Sequence, residues 1–215
     1  MTGHDIIVIG ASSGGIESLT ELVSGLPQDL PASVFVVVHV PARAVSLLPQ
    51  ILSRAGAIAA AHAKDNEPLR HERIYVAPPD FHLLLRDGSV RLVRGPRENN
   101  HRPAIDPLFR TAARSYGPRV IGVILSGALD DGTAGLSAVK KSGGVAIVQD
   151  PKDALFPDMP RYAMQAISVD HCVPKGDIAR LLARLVAEQV KEKTDPAVTD
   201  QLQKEPDLGY GYRSR

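Results

Sequence analysis

Apolar positions fall into two alternating kinds of segment. Ile6–Ile9 is a continuous apolar run, as expected of a strand buried on both faces. Residues 15–24 then place Ile16, Leu19, Leu22 and Val23 at helical spacing. A second run, "VFVVVHV" (34–40), is rich in β-branched residues, and residues 43–53 put Val45, Leu48, Ile51 and Leu52 on one helical face. The alternation returns as helix 105–116, strand 120–127, helix 133–142 and strand 145–149. This order predicts the α/β class: a three-layer α/β/α arrangement with a mainly parallel sheet. In "RIYVAPPDFHLLLRDGSVRLVRG" (73–95), two strand-like runs meet at Asp87-Gly88, which predicts an antiparallel β-hairpin insertion that interrupts the parallel sheet. Residues 177–190 read as a last amphipathic helix, with Asp177 as N-cap and Ile178, Leu181, Leu182 and Leu185 facing inward. Residues 191–215 have few apolar positions and many charges, so they read as a flexible charged C-terminal tail behind one domain over residues 4–190.

Composition narrows the class. With 215 residues of which 44% are hydrophobic, the chain can build a core without disulfides or a structural metal. A formal net charge of +1 gives no global pull toward nucleic acid or anionic membrane. Cys172 is the only cysteine, so no intramolecular disulfide can form; beside Val173 it reads as a small buried hydrophobe. His4, His62, His71, His82 and His171 show no metal-ligand spacing. No apolar run approaches the ~20 residues of a membrane span, and the N-terminus has no signal-peptide pattern. The expectation is a soluble cytoplasmic protein.

The stretch "DIIVIGASSGGIESL" (5–19) carries the candidate chemistry, and it suits two mechanisms. A glycine-rich turn after a first strand can cradle a dinucleotide pyrophosphate, as in short-chain dehydrogenases. That reading calls for a ribose-binding residue ending the second strand, where His39-Val40-Pro41 stands. It also calls for a Tyr-x-x-x-Lys, and none of the five tyrosines has lysine four residues on. The same turn, Gly10-Ala11-Ser12-Ser13-Gly14, satisfies G-x-S-x-G, the elbow that exposes a serine nucleophile at the end of a strand. Such a serine needs a base, and His39 ends the next strand. The base needs an orienting carboxylate, and "LSGALDDGTAG" (125–135) supplies Asp130 and Asp131 at the end of another. Each residue also has a plainer role open to it: Ser12 or Asp131 as a helix cap, His39 in the core, Asp106 as a first-turn helix acid.

Over residues 5–187 the chain resembles the catalytic domain of the chemotaxis protein-glutamate methylesterases, CheB-type. The resemblance rests on "IGASSGG" (9–15), "VHVP" (38–41), "IYVAPPDFHLLL" (74–85), "HRPAIDPLF" (101–109), "LSGALDDGTAG" (125–135) and "FPDMPRYA" (156–163), all in register. It implies Ser12 as nucleophile, His39 as general base and Asp131 as orienting acid; Asp131 rather than Asp130, because it directly precedes Gly132. It places oxyanion donors on the backbone of Ser13 and the Ala128 loop. It leaves His101, which opens one of the motifs, either touching substrate or fixing a loop. The implied activity is hydrolysis of glutamate γ-methyl esters on chemoreceptor-type helices, with glutamine deamidation by the same chemistry, and with no cofactor or metal. The membrane would be reached only indirectly, through receptors. An esterase acting on another protein, or an idle scaffold of the same fold, stays open. Ala128 and Leu129 depart from the methionine and glycine usual there. The first strand starts at about Asp5, which leaves no room for the receiver domain many members carry ahead of it, so activity without phosphorylation is expected.

Overall fold

Ile6–Ile9 does form a strand, and the elements that follow it keep the predicted order. The computed structural model describes residues 3–86 and 88–190. In chain order these form β1 (Ile6–Ala11), α1 (Gly15–Ser24), β2 (Ser33–Val38), α2 (Leu48–Ala55), β3 (Ala59–His62) and β4 (Arg73–Val76). The hairpin β5 (His82–Arg86) and β6 (Ser89–Val93) comes next, then α3 (Ile105–Tyr116), β7 (Val120–Ile124) and α4 (Thr133–Lys141). The last are β8 (Val145–Gln149), α5 (Asp158–Ala166), β9 (His171–Val173) and α6 (Lys175–Ala187). The charged tail proposed for 191–215 lies outside the described residues.

Seven strands pair in the order β3-β4-β2-β1-β7-β8-β9, every pair parallel. The period of two along each strand sorts side chains to two cores. Ile7, Ile9, Val34 and Val36 face one way, under Leu19 and Leu22 of α1, Leu52 of α2 and Leu182 of α6. Ile6, Val8, Phe35 and Val37 face the other way, against Leu108 and Phe109 of α3, Leu136 of α4 and Met159 of α5. These two cores make the structure three-layered.

The hairpin forms as predicted, with Gly88 at φ 74° in its turn. It does not interrupt the parallel sheet, however. It forms its own two-stranded sheet and is fastened to α3, where Leu85 N donates to Thr111 Oγ1 and Ser115 Oγ donates to Leu85 O. The run at 73–76 instead enters the main sheet as β4. Helix α2 begins at Leu48 rather than 43 and leaves Val45 88% exposed. Pro49 explains the late start, because proline fits the first turn of a helix but not its interior. Helix α6 starts at Lys175 behind Pro174, so Asp177 is not its N-cap; its carboxylate bonds Arg180 at 2.8 Å. Cys172 is exposed, contrary to the buried role expected of it. It lies on the three-residue edge strand β9, where Val173 packs on the core and the preceding side chain points away. Strands β3 and β9 and helix α5 are not evident in the apolar pattern; β3 reads Ala-Ala-Ala-His, and alanine carries little strand signal.

Candidate active site

Because β1 lies between β2 and β7, all parallel, three carboxyl ends stand side by side. The chain leaves β1 toward β2 on one side and returns as β7 on the other, the kind of switch point where open α/β sheets bind ligands. Backbone bonds join the three loops beyond the strands. His39 N donates to Ala11 O at 3.3 Å, Ser12 N to Ser126 O at 3.0 Å, and Leu125 N to Gly10 O at 2.9 Å.

Ser12 follows β1 in a tight turn. Gly14 precedes α1 at φ 69°, a left-handed conformation that glycine adopts without strain. Ser126 braces the turn: its hydroxyl donates to Ser13 O at 2.9 Å and accepts from Phe156 N at 2.9 Å. Gly127 is required for closeness, since a Cβ there would stand 1.9 Å from Met159 Sδ and 2.9 Å from Ser12 Cβ.

His39 lies just past β2 with its ring between two partners. Nδ1 is 3.0 Å from Ser12 Oγ, and Nε2 is 2.7 Å from Asp131 Oδ2. An ionised carboxylate can only accept. The neutral ring therefore carries its proton on Nε2, donates to Asp131, and leaves Nδ1 to accept from the Ser12 hydroxyl. Asp131 is 1% exposed. Besides His39, it accepts from Ile105 N at 2.8 Å, Asp106 N at 3.2 Å and Asn99 Nδ2 at 2.7 Å. Two of these donors are N–H groups at the start of α3, where the helix dipole favours an anion. Burial acts to raise the Asp131 pKa; the bonds from His39, Ile105 and Asn99 outweigh it and hold the carboxyl below its ordinary range. Asp130 is exposed and outside this network.

A second carboxylate supports the first. Asp106 is buried and accepts from Gly135 N at 2.6 Å, while Asn99 Nδ2 donates to it at 3.0 Å as well as to Asp131. Burial, and then the nearby Asp131 charge, push its pKa up. His101 stacks flat on His39, with ring centroids 3.6 Å apart and planes 6° from parallel. Burial lowers its pKa, and His39, whenever it is protonated to imidazolium, lowers it further. Ser13 is exposed and Ala128 partly buried. Among the described residues, neither N–H has a backbone acceptor, so both remain able to donate. Leu129 is left-handed at φ 64° and 60% exposed.

Thus Ser12, His39 and Asp131 converge, and His101 joins them by stacking. Asn99, Ser126 and the buried role of Asp106 are absent from the sequence reading. Their only local signals are an Asn-Asn pair, which favours left-handed turns (φ 48° and 65° here), and the Asp of "HRPAIDPLF". A neutral imidazole between a hydroxyl and a buried carboxylate can take the hydroxyl proton as the oxygen attacks an acyl carbon.

The profile of the CheB methylesterase family matches residues 7–182. A protein of Leptospira interrogans (serovar copenhageni) named putative protein-glutamate methylesterase/protein-glutamine glutaminase is 38% identical over 191 residues, covering 88% of this chain and 99% of that protein. A protein-glutamate methylesterase/protein-glutamine glutaminase of Anaeromyxobacter dehalogenans is 37% identical over 84% of this chain, which spans 53% of its length. The crystal structure of the Thermotoga maritima CheB methylesterase catalytic domain superposes with a TM-score of 0.82 at 34% identity, covering 86% of this chain and all of that one.

Proposed function

Because the chain belongs to the CheB methylesterase family, we propose that it is a serine hydrolase that demethylates glutamate γ-methyl esters on a chemoreceptor-type protein. The observation that carries this reading is the pair of bonds through His39 that links Ser12 to Asp131. Ser12 Oγ attacks the ester carbonyl as its proton passes to His39 Nδ1. Asp131 holds the ring and stabilises the imidazolium, while the Ser13 and Ala128 N–H groups hold the oxyanion. His39 then protonates the departing methoxide, and methanol leaves an acyl-Ser12. Water attacks that ester with His39 again as base, freeing the glutamate carboxylate and the Ser12 hydroxyl. A glutamine amide follows the same path with ammonia leaving, which is the glutaminase activity. The reaction calls for no cofactor.

A macromolecular substrate suits the rim, since the exposed apolar side chains Ile16, Leu129, Leu155 and Phe156 lie on segments that border the Ser12 turn. As a member of this family the protein would act in the cytoplasm and meet membranes only through receptors; among the described residues no helix is long and apolar enough to cross a membrane. Receptor-bearing membranes carrying labelled methyl groups test the proposal. The protein should release volatile methanol, and Ser12→Ala should lower kcat by about 10⁴-fold or more with the thermal transition intact. Activity of Ser12→Ala within tenfold of the parent would exclude the serine mechanism.

A further inference from the structure

A cleft of about 300 Å³ adjoins the triad and shares His39 with it. Its walls include Pro41, Arg97, Asn100, His101 and Arg102, whereas Ser12 and Asp131 do not line it. No carboxylate lines it either. The acids near its walls are already engaged. Asp80 accepts from Arg102 Nε at 2.9 Å and also holds Arg94. Glu98 pairs with Arg110 at 2.6 Å. Asp131 is buried behind His39 under four donors. Among the described residues Arg97 has no ion-pair partner, and it is exposed. An arginine with its full fork of donors, at the mouth of a cleft beside the general base, is shaped for a planar oxyanion.

We propose that this cleft is a specificity subsite for a carboxylate of the substrate polypeptide, an acidic side chain about one helical turn from the reacting group, received by Arg97 with Asn100 beside it. The proposal rests on the esterase reading, because His39 borders both the triad and the cleft and so makes them neighbours. On a helix, residues three or four apart lie on the same face with Cβ atoms about 5–6 Å from each other, so a helical substrate presents a second side chain next to the one at Ser12.

The test separates binding from turnover. In the Ser12→Ala protein, fluorescence anisotropy compares two helical peptides with glutamine at the reacting position and either glutamate or glutamine four residues away. The glutamate peptide should bind about tenfold more tightly, equivalent to ~1.4 kcal/mol. Arg97→Ala should abolish that ratio, Arg97→Lys should keep part of it, and Arg97→Glu should invert it. The ratio should shrink from 0.05 to about 0.5 M salt, and with added phosphate, because screening and a free oxyanion both compete. Equal affinities, no saturable binding of either peptide, or an unchanged ratio in folded Arg97→Ala protein overturns the subsite. Methanol release by the unaltered protein is scored separately. Its absence with the ratio intact rejects the esterase reading alone, and its presence without the ratio rejects the subsite alone.

Discussion

One amide nitrogen of Asn99 donates to two carboxylates, Asp131 at 2.7 Å and Asp106 at 3.0 Å. Without that bridge the two acids would face each other with one fewer shared donor, and Asp131 would lose a restraint on its position behind His39. Asn99→Ala should lower kcat on a methyl ester by roughly 10²-fold, the size of effect that small misplacements produce. Losing a donor to the anions also makes them easier to protonate, so the acid limb of the pH–rate profile should move to higher pH. A rate loss with an unmoved profile would reduce Asn99 to a packing role. Leu129 is a different case. Its left-handed backbone costs a non-glycine residue roughly 1–2 kcal/mol, and its exposed side chain recovers little by burial. Leu129→Gly should raise unfolding free energy by about 0.5–1 kcal/mol, after glycine's own entropy cost, as read from urea titrations.

At the scale of elements, the first turn of α3 matters most. Its free N–H groups point at Asp131 rather than at water, and its first-turn acid, Asp106, accepts from the first turn of α4 through Gly135 N. The two carboxyls respond to pH in opposite senses. Asp131 titrates below its unfolded value of about 3.9, so the stability it contributes is complete above that value and is lost as pH falls through the folded pKa. Asp106 titrates above its unfolded value, so the native state retains its proton longer. Its ionisation costs stability as pH climbs from the unfolded value through the raised one. Urea midpoints from pH 3 to 7 should show a shallower acid loss in Asp131→Asn. Relative to the parent, Asp106→Asn should gain as pH rises, whatever its absolute stability. Parallel curves for all three proteins would mean that neither carboxyl is shifted as described.

Across the whole molecule, the two cores have different relations to the site. The face under α3 supports Asp131 directly, through the Ile105 and Asp106 N–H groups, whereas α6 packs on α1 and the sheet and bonds none of the triad side chains. Phe109→Ala and Leu182→Ala both empty fully buried positions. They should destabilise by about 3–5 and 2–5 kcal/mol, respectively. Assayed well below both transitions, Phe109→Ala should also lose esterase activity, because α3 shifts relative to Asp131. Leu182→Ala should retain it. Equal retention in both would show that the site is insulated from the packing of α3.

The alternating apolar segments were sufficient for the α/β class, because strands buried on both faces and amphipathic helices have distinct periods that need no tertiary information. The hairpin was legible in Asp87-Gly88, and the positions of Ser12 and His39 at strand ends followed from where the apolar runs stop. Four things depended on the fold. Pro49 sets the start of α2 more strongly than the apolar spacing at 43–53 does. An edge position turns Cys172 outward although its neighbours look like strand core. The choice between Asp130 and Asp131, adjacent and chemically identical, could be made from the chain only by resemblance; in the structure it is a matter of which carboxylate meets His39 Nε2 and the start of α3. Asn99, Ser126 and Arg97 gain their roles from partners 7 to 113 positions away or from none at all. Periodicity and turn chemistry are local and are written in the chain; which polar groups meet across the carboxyl ends of three separate strands is decided only when the sheet brings those ends together.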